Sequence, residues 1–436
     1  MKQSSLIALI CLLCFACTTD DNDSSETSHL KWVNTYGGSK NDALNSIVNT
    51  QDGGYAVLGY TQSTDGDVSN NPTENYDYWL LKYNSQDVLQ WNKTYGGSHD
   101  DRGTDMVQTQ DGGYVVVGYS KSADEDVTTN AGLNDLWIVK LDGFGQITWE
   151  KSLGYSGTDK AQTVIQTSDG GYFIVGLLDV TASGGEGNSR VMHAGGDYWA
   201  VRLDATGNTL WTKYFGGNNS ETPYDTIQTE DGGFIIVGTS DSSDVDITNN
   251  IGQYDYWIVK IDAVGSLVWE KTFGGTGIDE AHSIAKTEAN NFLIFGKTFS
   301  EDVDVSNNNG QADAWLIKID SVGNLLWEKT FGGSGFDSGD AICQLQDGNY
   351  ALTGSTRSQD GDLELNNGQN DVFVFKISAN GNLLWNYTLG GTEADFAYDI
   401  IEQPNRELIL VGNTASSDVD IIENKGFTDG LIAKLK

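Results

Sequence analysis

The chain has 436 residues, of which 62 are acidic and 25 basic, and its net charge at pH 7 is −37. A hydrophobic fraction of 38% is enough to bury a large core, which argues against global disorder. The negative charge argues against nucleic acid or an anionic membrane surface as a partner, because their phosphates would be repelled.

The first 28 residues predict export and lipidation. Residues 1–16 combine Lys2 with a short apolar run, as in a secretory signal peptide. The end of this segment, Leu13-Cys14-Phe15-Ala16-Cys17, resembles the lipobox of bacterial lipoproteins, which implies lipidation at Cys17. The acidic stretch that follows is expected to be a flexible tether over residues 17–28, and it resembles the surface-export signal of some Gram-negative lipoproteins. The alternative is an ordinary signal peptide cleaved near Ala16.

This interpretation places the protein at the bacterial outer membrane, surface-exposed and held by its lipid anchor alone. It also predicts which cysteine keeps a free thiol. Cys11 and Cys14 would leave with the signal peptide and Cys17 would carry lipid, so Cys343 becomes the only free thiol. Because Cys343 lies in an apolar strand, we predict a buried structural thiol and not a nucleophile.

The rest of the chain, residues 29–436, repeats one unit seven times. The marker is a tryptophan that recurs every 58 to 62 residues, at Trp32, Trp91, Trp149, Trp211, Trp269, Trp327 and Trp385. Each repeat predicts four short strands, two of them joined by an Asp-Gly-Gly turn as at Asp111-Gly112-Gly113. Four antiparallel strands per repeat predict an all-β fold, a seven-bladed β-propeller. The regular tryptophans are expected to pack between blades.

The phase of the repeat predicts how the ring closes. The last segment, Asp429 to Lys436, reads as a third strand, and the segment from Leu30 to Tyr36 reads as a fourth strand without the three that should precede it. We therefore expect the N-terminal strand to complete the last blade and to remove exposed strand edges.

One acidic loop recurs between the second and third strands. Five repeats contain Asp-x-Asp-x3-Asn-x-Gly-x2-Asp, and the first repeat has a longer variant from Asp65 to Asp77. Alternating oxygen ligands in a glycine-containing loop suit calcium, which makes these residues a candidate metal set and Ca²⁺ an optional cofactor. The alternative is that the same side chains make Asx turns and cap the loop without a metal. The candidate ligands are Asp124, Asp126, Asn130, Asp135; Asp244, Asp246, Asn250, Asp255; Asp302, Asp304, Asn308, Asp313; Asp360, Asp362, Asn366, Asp371; and Asp418, Asp420, Asn424, Asp429.

A second acid follows each Gly-Gly pair by four residues and is expected on the same face as the acidic loops. This set comprises Asp42, Asp101, Asp159, Glu221, Asp279, Asp337 and Asp395. The pattern is compatible with two roles. One is turn capping. The other is ligand binding at a negative rim, chiefly by Asp101, Asp159, Asp279, Asp337 and Asp395. The third repeat breaks the pattern between Asp179 and Asp197, and the Arg190 and His193 of that insertion are further ligand-binding candidates.

The combined motif W-x3-[YF]-G-G-x3-D, D-G-G-[YF]-x3-G and D-x-W-[LI]-x-K-[LI]-D resembles the repeats of bacterial cell-surface propeller lipoproteins of unknown function. That resemblance implies a propeller fold and a cell-surface location, but it gives no catalytic residues. The expected function is a binding or interaction scaffold, monomeric, for an extracellular glycan or protein. The alternatives are an envelope polysaccharide hydrolase or lyase with its site in the third repeat, and a structural spacer or assembly component.

Overall fold

A computed structural model describes residues 29–180, 195–363 and 365–436. Over these ranges the chain forms 28 strands and one short 3-10 helix, Glu288–Asn290. The strands make seven four-stranded sheets in which all neighbouring strands are antiparallel. The predicted seven-bladed β-propeller is therefore confirmed. Cys17 and the signal and tether segments lie outside the described residues.

Six blades take four consecutive strands from the chain. Blades 1 to 3 contain β2 Asp42–Asn49, β3 Tyr55–Thr61, β4 Asp77–Tyr83, β5 Leu89–Tyr95; β6 Asp101–Gln108, β7 Tyr114–Ser120, β8 Asp135–Leu141, β9 Ile147–Leu153; and β10 Lys160–Gln166, β11 Tyr172–Asp179, β12 Gly196–Leu203, β13 Thr209–Phe215. Blades 4 to 6 contain β14 Glu221–Gln228, β15 Phe234–Ser240, β16 Asp255–Ile261, β17 Leu267–Phe273; β18 Asp279–Lys286, β19 Phe292–Thr298, β20 Asp313–Ile319, β21 Leu325–Phe331; and β22 Asp337–Gln344, β23 Tyr350–Thr356, β24 Asp371–Ile377, β25 Leu383–Leu389.

The seventh blade closes the ring with strands from both ends of the chain. It consists of β26 Asp395–Glu402, β27 Leu408–Thr414, β28 Asp429–Leu435 and the N-terminal β1 Leu30–Tyr36. β1 pairs antiparallel with β28, and Val33 lies opposite Ala433. The predicted closure is confirmed, and it pairs the free edge of β28.

The hydrophobic core lies between adjacent blades. One cluster, for example, joins Val117 and Ile138 of blade 2 to Ile174 and Val201 of blade 3. Side chains of the second and third strands are almost fully buried, which suits alternating packing against a neighbouring sheet on each face. The repeat-marking tryptophans of the fourth strands, such as Trp269, are half-buried against these clusters, and third-strand tryptophans such as Trp137 are completely buried.

The Asp-Gly-Gly turns hold a buried cation of the same blade. In blade 4, Asp231 accepts hydrogen bonds from the Gly233 N–H and from Thr229, and its Oδ1 lies 2.9 Å from Nζ of Lys260, a nearly buried side chain on β16. The middle glycine, Gly232, has φ +80, which a residue with a Cβ adopts only with strain. The equivalent ion pairs are Lys82–Asp52, Lys140–Asp111, Arg202–Asp169 and Lys376–Asp347.

Cys343 is only half-buried, on β22, and packs against an apolar cluster. Burial raises the pKa of its thiol to about 11. It is therefore protonated at neutral pH, which is consistent with a structural and not a nucleophilic role.

Candidate functional site

The first strand of each blade lies closest to the axis. β2, β6, β10, β14, β18, β22 and β26 each contact the first strands of both neighbouring blades, so together they surround a central channel. Every one of them has a β-bulge at the same place, as between Ala281 and Ser283 in β18. A bulge adds one residue to the strand and redirects its side chain.

The residues at and just after the bulges enclose a cavity of about 200 Å³ in the channel. Seven of these residues, one from each blade, lie three positions after the recurring acid. They are Asn45, Thr104, Gln162, Tyr224, His282, Asp340 and Tyr398. The cavity therefore combines amide, hydroxyl, aromatic and charged groups, a lining suited to a small polar ligand.

Asp105, Asp225 and Asp399 follow the bulge in three blades and join consecutive blades. The Oδ2 atom of Asp225 accepts hydrogen bonds from the Ile284 N–H at 2.9 Å and from Ser283 at 3.1 Å, both in the next blade. The Oδ2 of Asp399 accepts the Ile47 N–H across the ring closure. Burial raises the pKa of Asp225 to about 7 and that of Asp399 to about 8, although these backbone bonds oppose the shift.

His282 is the cationic group of the cavity. Its Nδ1 lies 2.7 Å from the carbonyl oxygen of Gly339 and 3.4 Å from Asp340, and its Nε2 lies 3.6 Å from Glu280. Burial alone would lower the pKa of His282, but Asp340 and Glu280 raise it to about 9. The ring is therefore an imidazolium at neutral pH, and Nδ1–H donates to the Gly339 carbonyl.

The recurring acids lie on the face formed by the acidic loops and the interblade connections, here called the carboxylate-rich face. All seven are completely buried. Asp279 is representative: its Oδ2 accepts hydrogen bonds from the Gly275 N–H and from Ser300, both at 2.8 Å, and its Oδ1 accepts one from Thr298. Asp101, Asp159, Asp337 and Asp395 are equally buried and also cap the connection that precedes them, so an external ligand would have to displace these bonds.

The acidic loops also direct their oxygens to backbone donors. In blade 5, Asp302 accepts the Thr276 N–H at 2.8 Å, Asp304 accepts the Gly274 N–H at 3.3 Å, and Asn308 bonds the Thr298 carbonyl and the Gly310 N–H. The last aspartate, Asp313, accepts the Asn309 N–H at 2.9 Å. In the other four loops the first, second and last aspartates accept the equivalent backbone N–H groups. These residues are Asp124, Asp126, Asp135; Asp244, Asp246, Asp255; Asp360, Asp362, Asp371; and Asp418, Asp420, Asp429.

The loop asparagines follow the same pattern with one exception. Asn130, Asn366 and Asn424 each bond a carbonyl and a glycine N–H, whereas Asn250 donates to the Gln253 carbonyl. Calcium requires six to eight converging oxygens. In the described ranges, no group of three or more His, Cys, Asp or Glu side chains is placed to hold a metal ion. In this arrangement the loop oxygens face backbone N–H donors. Calcium binding stays a prediction, and no function below depends on it.

The remaining sequence candidates and the cavity residues do not coincide. Arg190 and His193 lie outside the described residues. The cavity residues were not identified from the sequence, because seven different positions hold six residue types and share no repeated motif. Their constant distance from the recurring acid, three residues, is the signal that would have located them.

Comparisons with known proteins give a similar fold and a distant relative. No protein-family model matches the chain. The regulatory protein FlaEY of Caulobacter vibrioides is 23% identical over 245 residues, which make up 50% of this chain and 25% of that protein. The chain thus spans well under two thirds of this relative's length.

Within the described part, no helix is long and apolar enough to cross a membrane.

Among solved structures, puromycin hydrolase superposes with a TM-score of 0.50 and 9% identity, over 88% of this chain and 54% of that chain. This similarity concerns the fold alone. Sqt1 from Chaetomium thermophilum has a TM-score of 0.45 and 11% identity, over 87% of this chain and 82% of that chain. BamB from Moraxella catarrhalis has a TM-score of 0.43 and 12% identity, over 90% of this chain and 99% of that chain.

Proposed function

We propose that this protein is a lipoprotein, anchored through Cys17 at the bacterial outer membrane, that binds an extracellular glycan in the central channel of its propeller. The observation that carries the proposal is the cavity of about 200 Å³ lined by one bulged residue from every blade. The signal-like residues 1–16 and the lipobox-like sequence support the location.

The size and lining of the cavity favour a glycan over a protein as the ligand. A cavity of about 200 Å³ has room for a single sugar residue but not for a helix or a folded domain. Asn45, Gln162 and Asp340 offer hydrogen-bonding groups for hydroxyls, and Tyr224 and Tyr398 offer aromatic faces. A protein partner would have to bind the outer rim and leave the cavity unused.

The proposal is tested by filling the cavity. Gln162→Trp introduces a large side chain at the channel wall, and Gln86→Trp places the same side chain on an exposed hairpin as a matched control. We expect the purified protein to bind members of an oligosaccharide panel in calorimetry, with at least a tenfold loss for Gln162→Trp and none for Gln86→Trp. Failure of every oligosaccharide to bind, or full binding by Gln162→Trp, would contradict the proposal.

One observation favours an envelope polysaccharide hydrolase or lyase as a second candidate. Asp225 and Asp399 line the cavity with pKa values of about 7 and 8, in the range of a general acid at neutral pH. However, both oxygens of each carboxylate already accept backbone N–H groups, which suits a structural role better. An enzyme would release reducing ends from a bound oligosaccharide and would lose turnover in Asp399→Asn, whereas a binding protein would release none.

A further inference from the structure

Two half-buried cations near the channel have no acidic partner within the part of the chain that the structure describes. Arg102 is the second residue of β6, and Lys160 occupies the equivalent position at the start of β10 in the next blade. Neither forms an ion pair with any described residue, although acids outnumber bases 62 to 25. Buried cations elsewhere are paired, as Lys140 is with Asp111 at 3.0 Å. Acids are abundant in the chain, so the lack of an acidic partner among the described residues is particular to Arg102 and Lys160.

Tyrosines surround both cations. The guanidinium carbon of Arg102 lies 3.8 Å from the ring centre of Tyr76 and 5.0 Å from that of Tyr60, and these two rings are nearly perpendicular. The Nζ of Lys160 lies 4.5 Å from the ring of Tyr119. These cation–π contacts hold the side chains in place without neutralising them. The Nε of Arg102 is buried and has no hydrogen-bond partner.

The two positive charges act on each other. Burial lowers the pKa of Lys160, and the neighbouring charges of Arg102 and Lys121 lower it further. The cluster also adjoins the cavity, because Arg102 and Lys160 lie two residues before the cavity residues Thr104 and Gln162 on β6 and β10. An anion placed here would relieve the repulsion between the cations and supply the partner that each of them lacks.

We propose that Arg102 and Lys160 form an anion subsite at the mouth of the channel, and that the ligand is a sugar bearing a carboxylate or sulfate group. This inference rests on the glycan-binding function proposed above. The planar guanidinium can bind a carboxylate or sulfate through two parallel N–H donors, and the ammonium adds a point charge. The exposed parts of Tyr60, Tyr76 and Tyr119 provide faces for the apolar side of the sugar ring.

Calorimetry with three oligosaccharides of one length tests the subsite: a uronate, a sulfated and a neutral oligosaccharide. We expect at least one anionic oligosaccharide to bind ten or more times more tightly than the neutral one. Arg102→Gln and Lys160→Gln should each remove most of that preference, Arg102→Lys should retain part of it, and the exposed control Lys213→Gln should leave it unchanged. Two separate charge-removing variants are used so that one misfolded protein, detected by circular dichroism, does not prevent the test.

The outcomes separate the subsite from the proposed function. A preference for the sulfated or the uronate ligand identifies the anion, and both support the subsite. Equal affinity for neutral and anionic ligands, or a preference unaffected by Arg102→Gln and Lys160→Gln, overturns the subsite while glycan binding stands. If none of the three oligosaccharides binds and no member of the oligosaccharide panel binds either, the subsite and the glycan-binding function are both overturned.

Discussion

The carboxylates of Asp255 and Asp279 approach the same glycine from two adjacent blades. A Cβ on Gly274 would lie 2.5 Å from Asp255 Oδ1 and 2.5 Å from Asp279 Oδ2, so any larger residue would require the carboxylates to move. The Oδ1 of Asp255 is buried and has no hydrogen-bond partner. Burial, with the charge of Asp279 adding to it, raises the pKa of Asp255 to about 7. The same pair of acids recurs at other blade interfaces, as at Asp371 and Asp395.

These pairs should make the protein less stable as the pH rises from 5 to 8. The pKa is raised to about 8 for Asp77 and to about 6 for Asp313, Asp371 and Asp429, against about 3.9 in an unfolded chain. An acid with a raised pKa in the folded state stabilises the fold below its unfolded pKa, and this contribution is lost as the pH passes through the folded pKa. Urea unfolding at pH 5, 6, 7 and 8 measures how the free energy of unfolding changes with pH. A free energy of unfolding that increases over this range would contradict the raised pKa values of these aspartates.

Asp255→Asn should stabilise the protein at pH 8. The amide removes one buried charge and can place an N–H donor where Oδ1 now has no partner, next to Asp279. We expect a gain of about 1 kcal/mol at pH 8 in urea unfolding, and a smaller gain at pH 5. The control is Asp262→Asn in an exposed hairpin turn, where backbone bonds lower the pKa and no such gain is expected. Equal effects of the two variants at pH 8 would show that the interface pair is not the cause.

The ion pair of Lys260 with Asp231 should contribute measurably to stability. Lys260 is nearly buried, and Asp231→Asn would remove the negative charge beside its ammonium, leaving only neutral acceptors such as Thr229 and the Ile261 carbonyl. We expect a loss of about 1–2 kcal/mol at pH 7 by urea unfolding. Glu230→Gln is the matched control: this neighbouring residue forms an exposed pair with Lys286, so its loss should have a clearly smaller effect on stability. Similar losses of stability for both variants would show that the nearly buried pair contributes no more than the exposed one.

Repetition determined which features could be predicted from the sequence. The strands, the seven blades and the closing role of β1 follow from patterns such as the Trp269 and Trp327 spacing, because each repeat must bury the same surfaces. The lining of the channel could not be predicted in this way. His282 and Gln162 occupy equivalent positions with unrelated side chains, and they converge only because seven bulged strands surround one axis.

The acidic loops show a different limit of sequence reasoning. The spacing of Asp302, Asp304 and Asn308 is compatible with a metal loop or with turn capping, and the sequence does not give the direction of the side chains. That direction depends on the backbone, where Val303 adopts φ +59 and lets both flanking aspartates face N–H groups. A β-branched residue in this conformation is not expected from its sequence preference.

Val303→Gly should therefore stabilise the protein. The side chain of Val303 is 62% exposed and its left-handed backbone is strained, whereas the equivalent positions of blades 1 and 6 are glycines, Gly66 and Gly361, with φ +66 and +70. We expect a gain of about 1 kcal/mol in urea unfolding. Val322→Gly is the control: this residue is similarly exposed but lacks a positive φ, so glycine should destabilise the protein by a few tenths of a kcal/mol. Destabilisation by Val303→Gly would contradict the strain argument.

Calcium should have little effect on thermal unfolding. The loop carboxylates of Asp302, Asp304 and Asp313 already accept backbone N–H groups, and these bonds would have to be exchanged before an ion could bind. An ion bound only to the folded state would add about 2.7 kcal/mol per site at a hundredfold excess over its Kd, so even one site is detectable. We expect the unfolding midpoint in chelator and in millimolar Ca²⁺ to agree closely. A large rise of the midpoint in Ca²⁺ that Asp304→Asn reduces would instead assign the loops of the carboxylate-rich face as ion sites.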